Sequence, residues 1–440
     1  MNKLSYISVI TLILLPLMFN GCGQKKSTLK LGVDGYGRTI LPNGITVLVN
    51  QDASTSLSAA RLLIGGGVLT ETSVNNGLTN LMTKMLLKGN DVMTAAEITE
   101  KLDFLGANVS LDCFRDYSAI SIVALTENFD LVMDIISRSL QSPSFPEEEL
   151  ARLVHEVEGE IKAINDNQGQ ASSLLYWRTI YGDRGYGLST IGTSATITGI
   201  TVADIKEHYQ KYVGGRNIIF SIATDMPAET ITTLTDKWLG GVKVEAETVP
   251  RPVLNLQSTR EGFTSFDRNQ SFVFMGYAMD HLQPDEVPYL ILLNEVLGNG
   301  VGSRIWSLRQ VEKLAYTVYS QYILNRYDAN FRAAIGTDTT KIKQALGSLE
   351  REWNKLVKEG ITEEELTDAK VNMKNNLIYG IDRKANRANN MAYYEYIGYD
   401  YRFILKLIET ADLITLAGLD NFIKEKLTDD RLYWSIVGKK

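Results

Sequence analysis

The sequence predicts an α+β chain built as two copies of one unit. The same succession of strands and helices runs twice along it, both runs close on a similar strand, and a polar stretch separates them. At 440 residues the chain is too long for one ordinary domain and fits two of roughly 200 residues.

The first copy opens with strands at 39–49, folded around the Pro42-Asn43-Gly44 turn, and at 56–64. A helix over 75–87 follows, then a strand pair at 107–113 and 118–125, then long amphipathic helices. The second copy repeats this order with a strand at 270–279, a helix at 285–297 and a strand pair at 315–323 and 330–335. Closing strands lie at 217–222 and 431–436, where Phe220-Ser221-Ile222 matches Trp434-Ser435-Ile436 at an offset of 214 residues (434 − 220). The stretch 241–262 is polar, carries Pro250 and Pro252 and lacks helical periodicity, so it reads as a linker between domains at 30–240 and 263–440. One helix start is well signalled. Pro146 precedes Glu147, Glu148 and Glu149, a proline in the first turn with acids facing the positive end of the helix dipole. Leu150, Leu153, Val157 and Ile161 then mark one face, with Glu160 near the middle of the helix.

Composition excludes several classes. With 44% hydrophobic and 22% charged residues the chain is globular, and a net charge of -7 without a Lys/Arg stripe argues against a nucleic-acid partner. Residues 1–21 form a secretory signal, with Lys3 in the n-region and an apolar run from Tyr6 to Phe19. Gly21 before Cys22 is similar to a bacterial lipoprotein cleavage site, which implies a lipidated Cys22 and a tether over 22–29; a simple cleaved signal with a chance cysteine is the alternative. With Cys22 lipidated, Cys113 has no disulfide partner, and its strand context predicts a buried, inert thiol.

The segment from Gly77 to Gly89 resembles the active-site helix of the pitrilysin (insulinase-like) zinc peptidases, in Gly77-Leu78 and in Met85-Leu86-Leu87-Lys88-Gly89. That helix carries H-x-x-E-H, in which two histidines one turn apart hold zinc and the glutamate activates its bound water. Here Asn80 and Lys84 stand at the histidine positions and Thr83 at the glutamate position. The family's third ligand corresponds to Glu160, 76 residues after Lys84. A single carboxylate does not hold zinc, so no cofactor is expected in this chain and no autonomous metallopeptidase activity.

The resemblance extends over most of the chain. Leu105 to Tyr117 looks like the family's strand pair after the zinc helix, whose first strand is an edge to which substrate adds as an extra strand. This implies a peptide-binding edge at Ala107, Asn108, Val109 and Ser110; a purely structural edge is the alternative. The segment from Gly302 to Val318 resembles the family's arginine–tyrosine signature, with Arg309 and Tyr316 seven residues apart. In the family such a pair reaches the zinc site of the facing half or partner and donates to the scissile carbonyl as it becomes an oxyanion. The alternative for the pair is an interdomain hydrogen bond, and Arg304 reads as a structural helix-end residue.

The resemblance implies two halves like those of mitochondrial processing peptidase, each a mainly antiparallel sheet with helices packed on one face. It implies a non-catalytic subunit of a heteromeric, peptide-degrading zinc metallopeptidase, with zinc in a homologous partner that keeps H-x-x-E-H. The expected location is exported, anchored by lipid to a bacterial membrane and facing the periplasm. A lipid-anchored, non-enzymatic peptide-binding or scaffold protein is the second reading.

Other features have plainer readings. His155 with Glu158 fits a solvated helix face, His208 packing or surface, and His281 a loop. Gly65-Gly66-Gly67 lacks the residues of a phosphate loop and reads as a strand-end bend. The tyrosines Tyr393, Tyr394 and Tyr396 read as core or interface.

Overall fold

The computed structural model describes residues 29–439 apart from Val253 and Asn255. The expected signal, Cys22 and most of the tether lie outside the described residues. Leu29, the last residue of the expected tether, is already buried against the first half's core.

Among the described residues, eleven strands make two sheets. β1 (Tyr36–Ile40), β2 (Thr46–Gln51), β3 (Leu57–Gly65), β4 (Asn108–Cys113), β5 (Tyr117–Leu125) and β6 (Ile218–Thr224) form the first, in the order β1-β2-β6-β3-β5-β4. β7 (Glu261–Ser265), β8 (Gln270–Asp280), β9 (Thr317–Leu324), β10 (Asp328–Asp338) and β11 (Leu432–Gly438) form the second, in the order β7-β11-β8-β10-β9. Without β1, the two orders are the same. Each sheet has one parallel pair, β2 with β6 and β7 with β11, and is otherwise antiparallel. β7 starts at Glu261, two residues inside the stretch expected as linker.

Helices α1 (Leu78–Met85), α2 (Ala95–Phe104), α3 (Thr126–Gln141) and α4 (Glu147–Asp166) belong to the first half. Leu150, Leu153, Val157 and Ile161 of α4 are buried as their spacing requires, and Glu160 lies past the helix midpoint. Beyond each half's own helices, two further helices cross between the halves. A single extended residue, Asn167, ends α4 and starts α5 (Gln168–Tyr181), which crosses to pack on β8 and β11 of the second half. Arg383 likewise separates the helix Glu363–Asp382 from the helix Lys384–Tyr396, which crosses back onto β3 and β6 of the first sheet. Each sheet is therefore sandwiched between its own helices and one helix of the other half.

Strand alternation divides the core accordingly. Leu62 faces the first half's own helices, while its neighbour Leu63 faces Ala392 and Tyr396 of the crossing helix. Met275 joins the second half's core, and Phe274 packs with Tyr176 and Trp177 of α5. Among the described residues no helix is long and apolar enough to cross a membrane.

Candidate functional site

The degenerate motif lies on α1, which packs against α4, β4, β5 and the helix Val202–Tyr212. Gly77 caps this helix with a φ of 100°, and a Cβ there would meet the Ile197 side chain at 2.7 Å, so both backbone and space favour glycine. The fully buried Glu71 carboxylate accepts from Gly77 N (2.9 Å), Thr79 N (2.6 Å) and the Asn76 amide (2.8 Å). A negative group at the amino end of the helix satisfies its free N–H groups and opposes its dipole. Burial raises the Glu71 pKa against these bonds.

Of the residues on α1, only Lys84 reaches solvent. Its ammonium contacts both Glu160 oxygens, at 2.7 and 2.8 Å. Lys84 and Glu160 are thus brought together across 76 residues of sequence, and the lysine cation occupies the fork of the retained carboxylate. Asn80 is 2% exposed and its Nδ2 has no hydrogen-bond partner. Thr83 is buried and its hydroxyl donates back to Thr79 O at 2.7 Å, where it serves the helix and not a water. The family's zinc does not fit these residues, since a cation already sits at the carboxylate and neither Asn80 nor Thr83 replaces an imidazole or a general base. Among the described residues no three His, Cys, Asp or Glu groups cluster to hold a metal ion.

β4 is the free edge of the first sheet, paired with β5 alone. Asn108, Val109 and Ser110 lie on it, and Ala107 immediately precedes it. An open groove of about 920 Å³ runs beside this edge, lined by Ala107, Val109, Leu111, Leu102, Lys84 and Arg152. Cys113 ends β4 half-buried, not fully buried as expected, and burial raises its thiol pKa well above the usual value. That keeps it an unreactive thiol.

In the second half, Arg309 and Tyr316 are exposed, Tyr316 by 61%. The Arg309 guanidinium lies 5.0 Å from the Trp306 ring centre, and Tyr316 N donates to Gly336 O at 2.9 Å, continuing the pattern of the edge strand β9. Neither side chain has a hydrogen-bond or ion-pair partner among the described residues, so the interdomain hydrogen bond is not what they make here. Glu312, between them, is held by Ser348 (2.6 Å) and Arg351 (2.5 Å), and Lys313 adopts a left-handed φ of 53°. Arg304 is the structural residue expected, donating twice to Glu365 (2.6 and 2.7 Å) and to Gly360 O (2.8 Å).

His208 is the site residue that spacing alone missed. It lies under α1, its Nε2 3.0 Å from Thr79 Oγ1, and burial pushes its pKa down to about 4, which leaves the ring neutral. His155 is exposed beside Glu158, and His281 lies in a loop.

A profile of the insulinase peptidase family M16 matches residues 46–194, and one of the M16 peptidase inactive domain matches residues 199–373. The chain is 23% identical over 394 residues to the uncharacterized zinc protease YmxG of Bacillus subtilis, covering 88% of this chain and 95% of that protein. It is 21% identical over 383 residues to the non-peptidase homolog YmxG of Helicobacter pylori, covering 86% and 87% respectively. The crystal structure of a peptidase M16 inactive domain from Pseudomonas fluorescens superposes with a TM-score of 0.85 at 19% identity, covering 92% of this chain and 98% of that one. The duplicated sheets, the inverted-motif helix and these matches agree, and the chain belongs to the insulinase family of M16 peptidases, as a non-catalytic homologue in which Asn80, Thr83 and Lys84 occupy the metal-site positions.

Proposed function

We propose that this chain is the non-catalytic subunit of a heteromeric zinc peptidase that degrades peptides. The observation that carries the reading is a contrast between the two halves. In the first, the metal position is closed by the Lys84–Glu160 ion pair. In the second, Arg309 and Tyr316 present a fixed cation and a phenol to solvent, with no partner of their own among the described residues. Donors left free beside an edge strand suit a developing oxyanion held by another subunit. The partner is a homologous chain with an intact H-x-x-E-H motif that carries the zinc. The β4 edge and its groove serve as a peptide-binding wall. Lys3, the apolar run after it and Cys22 support export and a lipid anchor on a bacterial membrane, facing the periplasm.

The test is reconstitution. The isolated chain hydrolyses no peptide, and adding the zinc-bearing partner yields activity that a chelator removes. In the assembled pair, Arg309→Ala or Tyr316→Phe lowers turnover by about 10²–10³-fold. Turnover unchanged in both variants would remove the catalytic role of the pair.

A further inference from the structure

We infer that Asn299-Gly300 is a self-modifying site, at which the folded chain converts its own asparagine side chain into an acid. Asn-Gly pairs at Asn43, Asn76 and Asn299 lie among the described residues. The reaction needs a free backbone N–H on the glycine and a side-chain amide able to turn towards it. The first two sites withhold both. Asn43 is buried, its Nδ2 donates to Leu239 O (2.7 Å) and Val242 O (3.0 Å), and Gly44 N donates to Leu41 O (2.8 Å). Asn76 is also buried, its Nδ2 donates to Glu71 (2.8 Å) and Ser189 O (2.7 Å), and Gly77 N donates to Glu71 (2.9 Å). Asn299, by contrast, is exposed at the end of the helix Val287–Gly298, and Gly300 N has no hydrogen-bond partner among the described residues.

The segment that follows is loosely held. Gly300 and Gly302 each have a φ of 93°, and a Cβ at either would meet nothing within 4 Å. Packing therefore does not stop the ψ of Asn299, 72° here, from turning into the attacking arrangement. Gly300 N gives up its proton and bonds to Asn299 Cγ, the Cγ–Nδ2 bond breaks, and the amide nitrogen leaves with that proton as ammonia. Water then opens the cyclic imide. Opening at Cγ leaves aspartate, and opening at the main-chain carbonyl leaves isoaspartate, in which the backbone runs through the former side chain. No oxidant or reductant takes part.

The product matters because of what the amide holds. Asn299 Nδ2 donates to Oε1 of the buried Glu295 at 2.7 Å, and Asn376 of the helix Glu363–Asp382 donates to both Glu295 oxygens at 3.1 Å. After the reaction a donor is replaced by a second carboxylate at hydrogen-bond distance, and two like charges so placed cannot both stay ionised without moving apart. The tie between the two helices is weakened. Arg304 N and Ile305 N return to Val296 O (3.0 Å) and Leu297 O (2.9 Å), so the extra backbone atom of isoaspartate must be absorbed between Asn299 and Ser303, just before the segment that presents Arg309 and Tyr316.

Peptide mapping by mass spectrometry of the full chain, incubated in mildly alkaline buffer made with heavy-oxygen water, tests the site without any activity. In the folded chain, label enters at Asn299 about tenfold or more faster than at Asn43 and Asn76, whose reaction requires local opening. In urea the three rates converge, because the protection comes from the fold. Asn299→Gln takes up no label at that position, while Asn299→Asp melts at a lower temperature than both wild type and Asn299→Gln. A folded chain in which Asn299 reacts no faster than Asn43 and Asn76 would overturn the assignment. An Asn299→Asp protein as stable as Asn299→Gln would overturn the weakening of the helix tie. Neither result bears on the partner-subunit reading, which is tested through Arg309 and Tyr316 in the assembled pair.

Discussion

The Asp116 carboxylate of the first half accepts the backbone N–H of Arg326 of the second at 2.7 Å. Tyr186 also donates to it, and Tyr396 of the crossing helix donates to Asp116 O at 2.5 Å. Nearby, Asp328 of the second half accepts from Tyr181 of α5 and from Asn325 at 2.6 Å. Two buried carboxylates, one from each half, thus tie the halves together, faced by the cations Arg115 and Arg326.

Burial raises both acids, Asp116 to about 6 and Asp328 to about 7, although hydrogen bonds and the nearby arginines oppose it. The folded state therefore holds these protons more tightly than the unfolded chain does. Their contribution to stability is complete below about pH 4 and is lost as pH rises through 6 and 7. Urea denaturation should find the wild type about 1–3 kcal/mol less stable at pH 8 than at pH 5. Asp328→Asn should narrow that difference. An equal gap in the variant would place the titration elsewhere.

A second tie is reciprocal. Ser221 on β6 donates to Ala388 O of the helix crossing onto its sheet at 2.5 Å, and Ser435 on β11 donates to Ser172 O of α5 at 2.8 Å. These serines sit in the tripeptides that match between the halves, where a small residue lets a helix approach the strand and its hydroxyl bonds that helix. Ser221→Ala and Ser435→Ala should each cost about 1 kcal/mol. Ser221→Leu should cost more, about 1–3 kcal/mol, by pushing the helix off the sheet. Denaturant midpoints measure all three, and a neutral leucine would refute the close approach.

What the sequence disclosed follows from which physics is local. Strand alternation and turn residues put β3, β5, β8 and β10 within a few residues of their observed ends, since each pattern lies within one segment. The crossing of α5 was not legible. Its apolar residues announce a buried face but not which sheet covers it, and both sheets had a face to offer. β7 escaped because Glu261 to Ser265 is largely exposed and polar. At the site, the missing imidazoles were readable directly, whereas the Lys84–Glu160 bond joins two helices whose approach only the fold determines. Glu71 beneath α1 carried a faint signal, an acid six residues before the capping Gly77.

Lys313 offers a test of strain at the arginine–tyrosine segment. A side chain at φ 53° costs roughly 1–2 kcal/mol relative to the right-handed region, and glycine escapes that cost while losing more entropy on folding. Lys313→Gly should therefore stabilise the chain slightly, by about 0.5–1 kcal/mol. A raised urea midpoint with an unchanged slope would show it, whereas a lowered one would mean that the Lys313 side chain contributes more than its backbone costs.

The two arginines of the signature segment differ in what they hold. Arg304 is mostly buried, and removing it leaves Glu365 and Gly360 O without their donors, so Arg304→Ala should destabilise by about 2 kcal/mol. Lysine should not restore this, because one ammonium cannot reproduce the paired donors of the guanidinium. Arg309 is exposed and rests only on Trp306, so Arg309→Ala should change stability by no more than about 0.5 kcal/mol. Equilibrium denaturation of the isolated chain distinguishes them. A large loss at Arg309 would mean that it supports the fold, and any activity lost in an assembled pair could then no longer be credited to its hydrogen bonds.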